Sequence, residues 1–100
     1  MTDHEIAIHS VSRITGVSTS RILSRSREWP VVEARRIVVL ILHEEGLPDL
    51  TISYVLRRGR GAILKIRHVA TDYRDVSKVF NDKYLKSKNL YEHEKSLRNA

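Results

Sequence analysis

The residues best suited to chemistry in this chain are cations and glycines crowded into five positions, Arg57-Arg58-Gly59-Arg60-Gly61. An arginine fork clamps a phosphate or bonds a guanine edge with two donors, and glycines let a backbone approach a phosphate or adopt positive φ. In the stretch that follows, Ala62, Ile66, Val69, Tyr73, Val76 and Phe80 recur at spacings of three and four, which predicts the apolar face of one helix. The opposite face then carries Arg60, Arg67, Thr71, Arg74 and Lys78, with Lys65 and His68 toward one flank and Leu64 isolated on the outside. Thr71 adds a hydroxyl suited to a backbone contact. A short helix, a tight turn and a longer helix with an inward apolar stripe and an outward basic one match a helix-turn-helix, whose second helix enters the major groove of double-stranded DNA.

Other chemistries are poorly served. His4, Glu5 and His9 give His-Glu-x-x-x-His, one residue too long to put both imidazoles on the helical face a zinc protease requires. Ser24 and Ser26 lack the histidine and carboxylate pattern of nucleophilic catalysis, so neither an enzyme nor a cofactor is expected. Gly16, Gly46, Gly59 and Gly61 form no phosphate-binding loop followed by Lys-Ser/Thr, so no nucleotide partner is expected. Tyr54, Tyr73, Tyr84 and Tyr91 follow no regular spacing, which argues against single-strand stacking. Trp29 before Pro30 is expected as a hydrophobic anchor against the central helix.

Charge is placed unevenly. Residues 1–50 carry six Lys/Arg and seven Asp/Glu, whereas residues 51–100 carry twelve and five. A basic half of this kind attracts polyanions, nucleic acid above all. The chain has no cysteine, and its start, with Asp3, His4 and Glu5, does not have the form of a secretory signal, which points to a cytoplasmic protein. Its longest apolar run, Ile37 to Leu42, is too short for a membrane span, and no membrane partner is expected.

The elements that must hold these residues are helical, predicting an all-α bundle. Thr2 and Glu5 have the form of a capping box for a helix from about Asp3 to Thr15 ending at Gly16. Ser18 can cap a short helix through Ile22 and Leu23, and the polar run Ser24 to Glu28 is a connection. From Pro30 to Gly46 runs the central helix, apolar nearly all round. Its run Ile37-Val38-Val39 favours a strand locally, but the breaker-free length favours helix. Glu44 and Glu45 sit unfavourably at its negative end. Asp49 or Thr51 caps a short helix with Ile52, Val55 and Leu56 inward. From Asn81 on, lysines interleaved with few apolar residues predict a loosely held helix or basic tail, so the DNA-binding domain is expected over residues 1–80 and a C-terminal helix or tail over 81–100.

Val11-Ser12-Arg13-Ile14-Thr15-Gly16-Val17, Ile22-Leu23-Ser24-Arg25-Ser26-Arg27, Val31-Val32-Glu33-Ala34-Arg35 and the stretch from Ile52 to Leu64 resemble, in order and spacing, the C-terminal DNA-binding domain of the bacterial chromosomal replication initiator DnaA. The resemblance covers roughly residues 8 to 80. It implies a helical fold related to the Trp-repressor-like folds, a role in replication initiation or its regulation, and an Arg35 that reaches the minor groove beside the recognition helix. At the family's Leu-Gly-Arg-Asp-His-Ser/Thr-Thr-Val-Leu signature, Leu56, Arg58 and Leu64 match and Ile63 is conservative. Gly59, Arg60, Gly61 and Ala62 replace the aspartate, histidine and two hydroxyl residues, which implies DNA affinity without the family's base preference. The initiators' ATPase has no counterpart here, and a stand-alone relative rather than a fragment is expected. The alternatives are a transcriptional regulator, or a module that keeps the fold and docks an acidic protein or RNA through Leu64 and the basic face.

Overall fold

The computed structural model describes residues 1–100. It is all-α, with six helices and no strand: α1 (Asp3–Thr15), α2 (Thr19–Ile22), α3 (Trp29–Glu44), α4 (Asp49–Leu56), α5 (Arg60–Val76) and α6 (Lys78–Arg98). Thr2 and Glu5 bond reciprocally as a capping box, and Gly16 closes α1 at φ +76°, a left-handed conformation that suits glycine. The Ser18 hydroxyl accepts from the Arg21 N–H to start α2. The polar connection after α2 is ordered by its own serines. Ser24 Oγ accepts from the Ser26 N–H and Ser26 Oγ accepts from the Glu28 N–H, each at 3.2 Å.

The central helix α3 packs against all five others, and every residue from Ile37 to Leu42 is buried. Burial on all sides is what makes the β-branched run helical, since tertiary packing outweighs a local preference of a few tenths of a kcal/mol per residue. Trp29 is the first residue of α3 and is half exposed. It lies against Tyr73 of α5, ring centroids 5.6 Å apart, rather than against the central helix.

Two expectations change at the C-terminal end. The last twenty residues are not loosely held: α6 begins at Lys78 and packs chiefly along α1, burying Phe80, Tyr84, Ser87 and Tyr91. The radius of gyration of 12.3 Å matches the ~13 Å of a single 100-residue domain, leaving no room for a detached tail. Glu44 and Glu45, unfavourable for α3 taken alone, fasten α6 to it. Glu44 pairs with Lys88 at 2.8 Å and accepts from the Tyr84 hydroxyl, while Glu45 pairs with Lys95 at 2.6 Å. Burial pushes the Glu44 carboxyl up, but the bonds from Lys88 and Tyr84 outweigh it and hold the group below the ordinary value.

The second change concerns α5, which does not continue to Phe80. Ser77 leaves the helical region at φ −112°, ψ 110° and caps α6 with its hydroxyl, leaving Val76 82% exposed. The buried line of α5 runs through Ile63, Ile66, Ala70 and Tyr73, not through Ala62, Val69 and Val76. At 100° per residue this is a rotation of roughly a sixth of a turn from the expected face. Arg67, Thr71 and Arg74 are carried toward the neighbouring helices by it, and Gly61, Leu64, Lys65, His68, Asp72 and Asp75 face outward. No helix is long and apolar enough to cross a membrane.

Candidate nucleic-acid interface

Helix α4 is joined to α5 by the three-residue turn Arg57–Gly59. The position that needs positive φ falls on Arg57, at φ 57° and ψ 43°, where it ends α4 with its N–H bonded to carbonyls of Ser53 and Tyr54. The two glycines do not supply it. Gly59 has φ −65° and Gly61 is helical, and a Cβ added at either would meet nothing within 4 Å. As the N-cap of α5, Gly59 offers no side-chain acceptor, so the first N–H groups of the helix point outward without a cap.

Of the cations expected on the outward face, Arg60 and Lys65 are there, with Arg57 beside them. Arg67 is not. It makes a two-pronged pair with Asp49 at the start of α4, at 3.2 and 3.0 Å, and holds the Asp49 carboxyl below its ordinary value. Arg74 sits over the Tyr84 ring, 3.9 Å from Glu44 and 3.7 Å from Asp75. The Thr71 hydroxyl donates to the Arg67 carbonyl, one turn back in its own helix.

Arg35 is also turned inward. At 5% exposure it donates to three carbonyls of the α2–α3 connection, those of Ile22 (3.1 Å), Ser26 (3.2 Å) and Ser24 (2.8 Å). Arg58, half-buried, donates to the same Ser24 carbonyl at 2.9 Å, tying the α4–α5 turn to that connection. Burial, and then the charge of Arg58, push the Arg35 guanidinium down to about 10. An arginine so held organises the loop and does not extend into a neighbouring groove.

Sequence reasoning missed the basic connection itself. Arg25 and Arg27 are exposed, and burial and then the charge of Arg25 lower the Arg58 guanidinium. The repeated Ser-Arg from Ser24 to Arg27 was the available signal. It names cations but not the long-range bond that brings them to the turn.

Ion pairing sorts most of the cations of the molecule into two sets, with Lys78 and Lys86 of α6 unpaired and apart from both. Lys83 pairs with Glu33, Lys88 with Glu44, Lys95 with Glu45 and Asp3, and Arg98 with Asp3, so α6 is largely neutralised by acids of the N-terminal half. Arg13 and Arg21 pair with Glu94 and Glu28. By contrast Arg25, Arg27, Arg57, Arg58, Arg60 and Lys65 have no carboxylate within 4.0 Å, and they gather around the α2–α3 connection and the α4–α5 turn. The chain is thus a six-helix all-α bundle with one edge of unpaired cations around a short-helix, turn, long-helix unit. Neither a known protein family, nor a curated protein, nor a solved structure matches it.

Proposed function

We propose that this protein binds double-stranded DNA, with α4, the Arg57–Gly59 turn and the first two turns of α5 working as a helix-turn-helix. The observation that carries this function is the segregation of cations: acids satisfy most of the basic residues elsewhere, Lys78 and Lys86 of α6 excepted, and leave a concentrated unpaired set around the start of α5. Arg60 and Lys65 lie at the end of the helix that enters the major groove in such motifs, and the uncapped N–H groups there add a site for phosphate oxygens. Arg25 and Arg27 extend the basic edge along the flanking backbone.

The resemblance to the replication-initiator domain supplies the process we propose, replication initiation or its regulation. Fluorescence anisotropy with a labelled duplex tests the binding. Counterion release by the six cations of this edge sets a limiting slope of log K against log salt near −5, whereas engagement of the whole basic half would approach −11. Absence of binding at low salt refutes the function. A second reading, docking of an acidic protein, draws on the exposed Leu50, Tyr54 and Leu64 beside the same cations. Displacement of the duplex by an acidic polypeptide as effectively as by unlabelled duplex would favour it.

A further inference from the structure

Between α3 and α5 runs a groove of about 180 Å³ lined by Val32, Arg35, Arg36, Lys65, Ile66 and Val69. Its volume is that of several waters, or of one tetrahedral oxyanion with part of its hydration. Three of its six lining residues are cations and none is an acid, and no carboxylate lies within 4.0 Å of any of the three.

Arg36 is the unusual member. Its guanidinium lies over the rings of Trp29 and Tyr73, 5.2 and 4.9 Å from their centroids. Contact with two rings holds the group in place without supplying a hydrogen-bond acceptor for its N–H groups. No acceptor meets them: Arg36 makes no ion pair, and its Nη1 is enclosed without a hydrogen-bond partner. An enclosed N–H without an acceptor costs about 1–3 kcal/mol. The arrangement is a donor held in place and lacking its acceptor, with Lys65 exposed at the groove's rim and Arg35 fixed beside it by the α2–α3 connection.

We propose that this groove is a seat for a phosphate-class oxyanion, held by the edge of Arg36 and the Lys65 ammonium, with Arg35 contributing charge. In the context of DNA binding, which the proposal deepens, the occupant is one backbone phosphate flanking the helix-turn-helix; the same chemistry accommodates free phosphate. The apolar walls formed by Val32, Ile66 and Val69 exclude part of the solvent and strengthen the attraction. The guanidinium is ordered before the ligand arrives, so little side-chain freedom is lost on binding.

Trp29 is the sole tryptophan and touches Arg36, so its fluorescence reports on the seat. The full chain is titrated with inorganic phosphate, exchanging it for chloride at constant ionic strength. A saturable change is expected for the wild type, weakened about tenfold by Lys65→Ala and abolished by Arg36→Met, which keeps an unbranched apolar stem against the two rings. Lys86→Ala, on an unpaired and exposed lysine of α6, should behave as wild type. With a labelled duplex, Lys65→Ala and Arg36→Met should each make the salt slope shallower by about one, while Lys86→Ala leaves it unchanged. Phosphate saturation without any duplex binding supports the seat with free phosphate as its occupant and refutes DNA binding as the function. Duplex binding in which neither variant alters the slope, with no response of Trp29 to phosphate, overturns the seat while leaving DNA binding intact. Should Arg36→Met unfold, Lys65→Ala, on an exposed side chain, decides the outcome alone.

Discussion

Arg57→Gly separates the demands of folding from those of binding at a single position. Arg57 is the only residue other than glycine with positive φ, and its side chain is exposed with no hydrogen-bond or ion-pair partner in the protein. A left-handed conformation costs an L-residue about 1–2 kcal/mol relative to glycine, while glycine's greater freedom in the unfolded chain gives back about 0.5–1 kcal/mol. No favourable contact is lost, and the backbone bonds from its N–H are kept. The variant should therefore gain about 0.5–1 kcal/mol, which for a domain of this size raises Tm by about 2–8 °C. Circular dichroism at 222 nm measures the melting, and anisotropy with a labelled duplex measures binding on the same sample. If the side chain is kept for a phosphate, the more stable variant should bind more weakly, with a salt slope shallower by about one. A lower Tm would show that the turn depends on Arg57 itself. A higher Tm with unchanged duplex affinity at every salt concentration would remove Arg57 from the interface.

Arg67→Ala should behave in the opposite way, lowering stability by about 1–2 kcal/mol through loss of the partly buried pair with Asp49; a double-mutant cycle with Asp49→Ala should return a coupling near 1 kcal/mol. Gly61→Ala should raise stability by about 0.5–1 kcal/mol, because Gly61 is helical with open space around it, and should weaken duplex binding where the backbone approaches phosphate. Glu44 and Asp49 ionise more readily folded than unfolded, so their contribution is complete above the ordinary carboxylate range and is lost as pH falls through and below that range. Urea midpoints should accordingly drop between pH 5 and pH 3, and Glu44→Gln should flatten that drop. Ser87→Ala removes a fully buried hydroxyl without a partner and should stabilise the protein by about 1 kcal/mol.

The helices were legible where short-range chemistry sets them. Thr2 with Glu5, Gly16, Ser18, Pro30 and Gly46 each act through neighbours one turn away, and each does in the fold what its type implies. The face of α5 was not legible. Ala62, Ile66, Val69, Tyr73 and Val76 form an apolar line as regular as the buried one, and the two overlap at Ile66 and Tyr73. The choice between them rests on Asp49, a partner eighteen residues away that draws Arg67 inward, and on Ser77, whose capping bond ends the line before Phe80. Arg35 was singled out as a groove reader, but its type fits both a groove reader and a loop clamp. Only the approach of Ser24 and Ser26 distinguishes them. How firmly the C-terminal helix packs was not legible for a related reason: the acids that pair with Lys83, Lys88 and Lys95 lie some forty to fifty residues earlier in the chain, on α3 and at its C-cap.

On the proposed function, the same pairing would restrict how the protein meets a duplex. Along the outer face of α5, charge reverses sign. Arg60 and Lys65 occupy the first turns, while Asp72 and Asp75 are exposed further on, only the latter near a cation. A helix laid along the groove over its whole length would bring those carboxylates toward phosphates, a repulsion that offsets part of what the first turns contribute. Entry by the N-terminal end avoids this, because it presents the positive end of the helix dipole together with the unpaired cations and leaves Asp72 and Asp75 in solvent. It also turns the α2–α3 connection toward the backbone, since Arg58 binds the Ser24 carbonyl and fixes that loop beside the start of α5. The Ser24 carbonyl, shared by Arg35 and Arg58, therefore ties the α2–α3 connection to the α4–α5 turn, and on the proposed function it is this tie that would hold Arg25 and Arg27 beside the start of α5 when a duplex is bound.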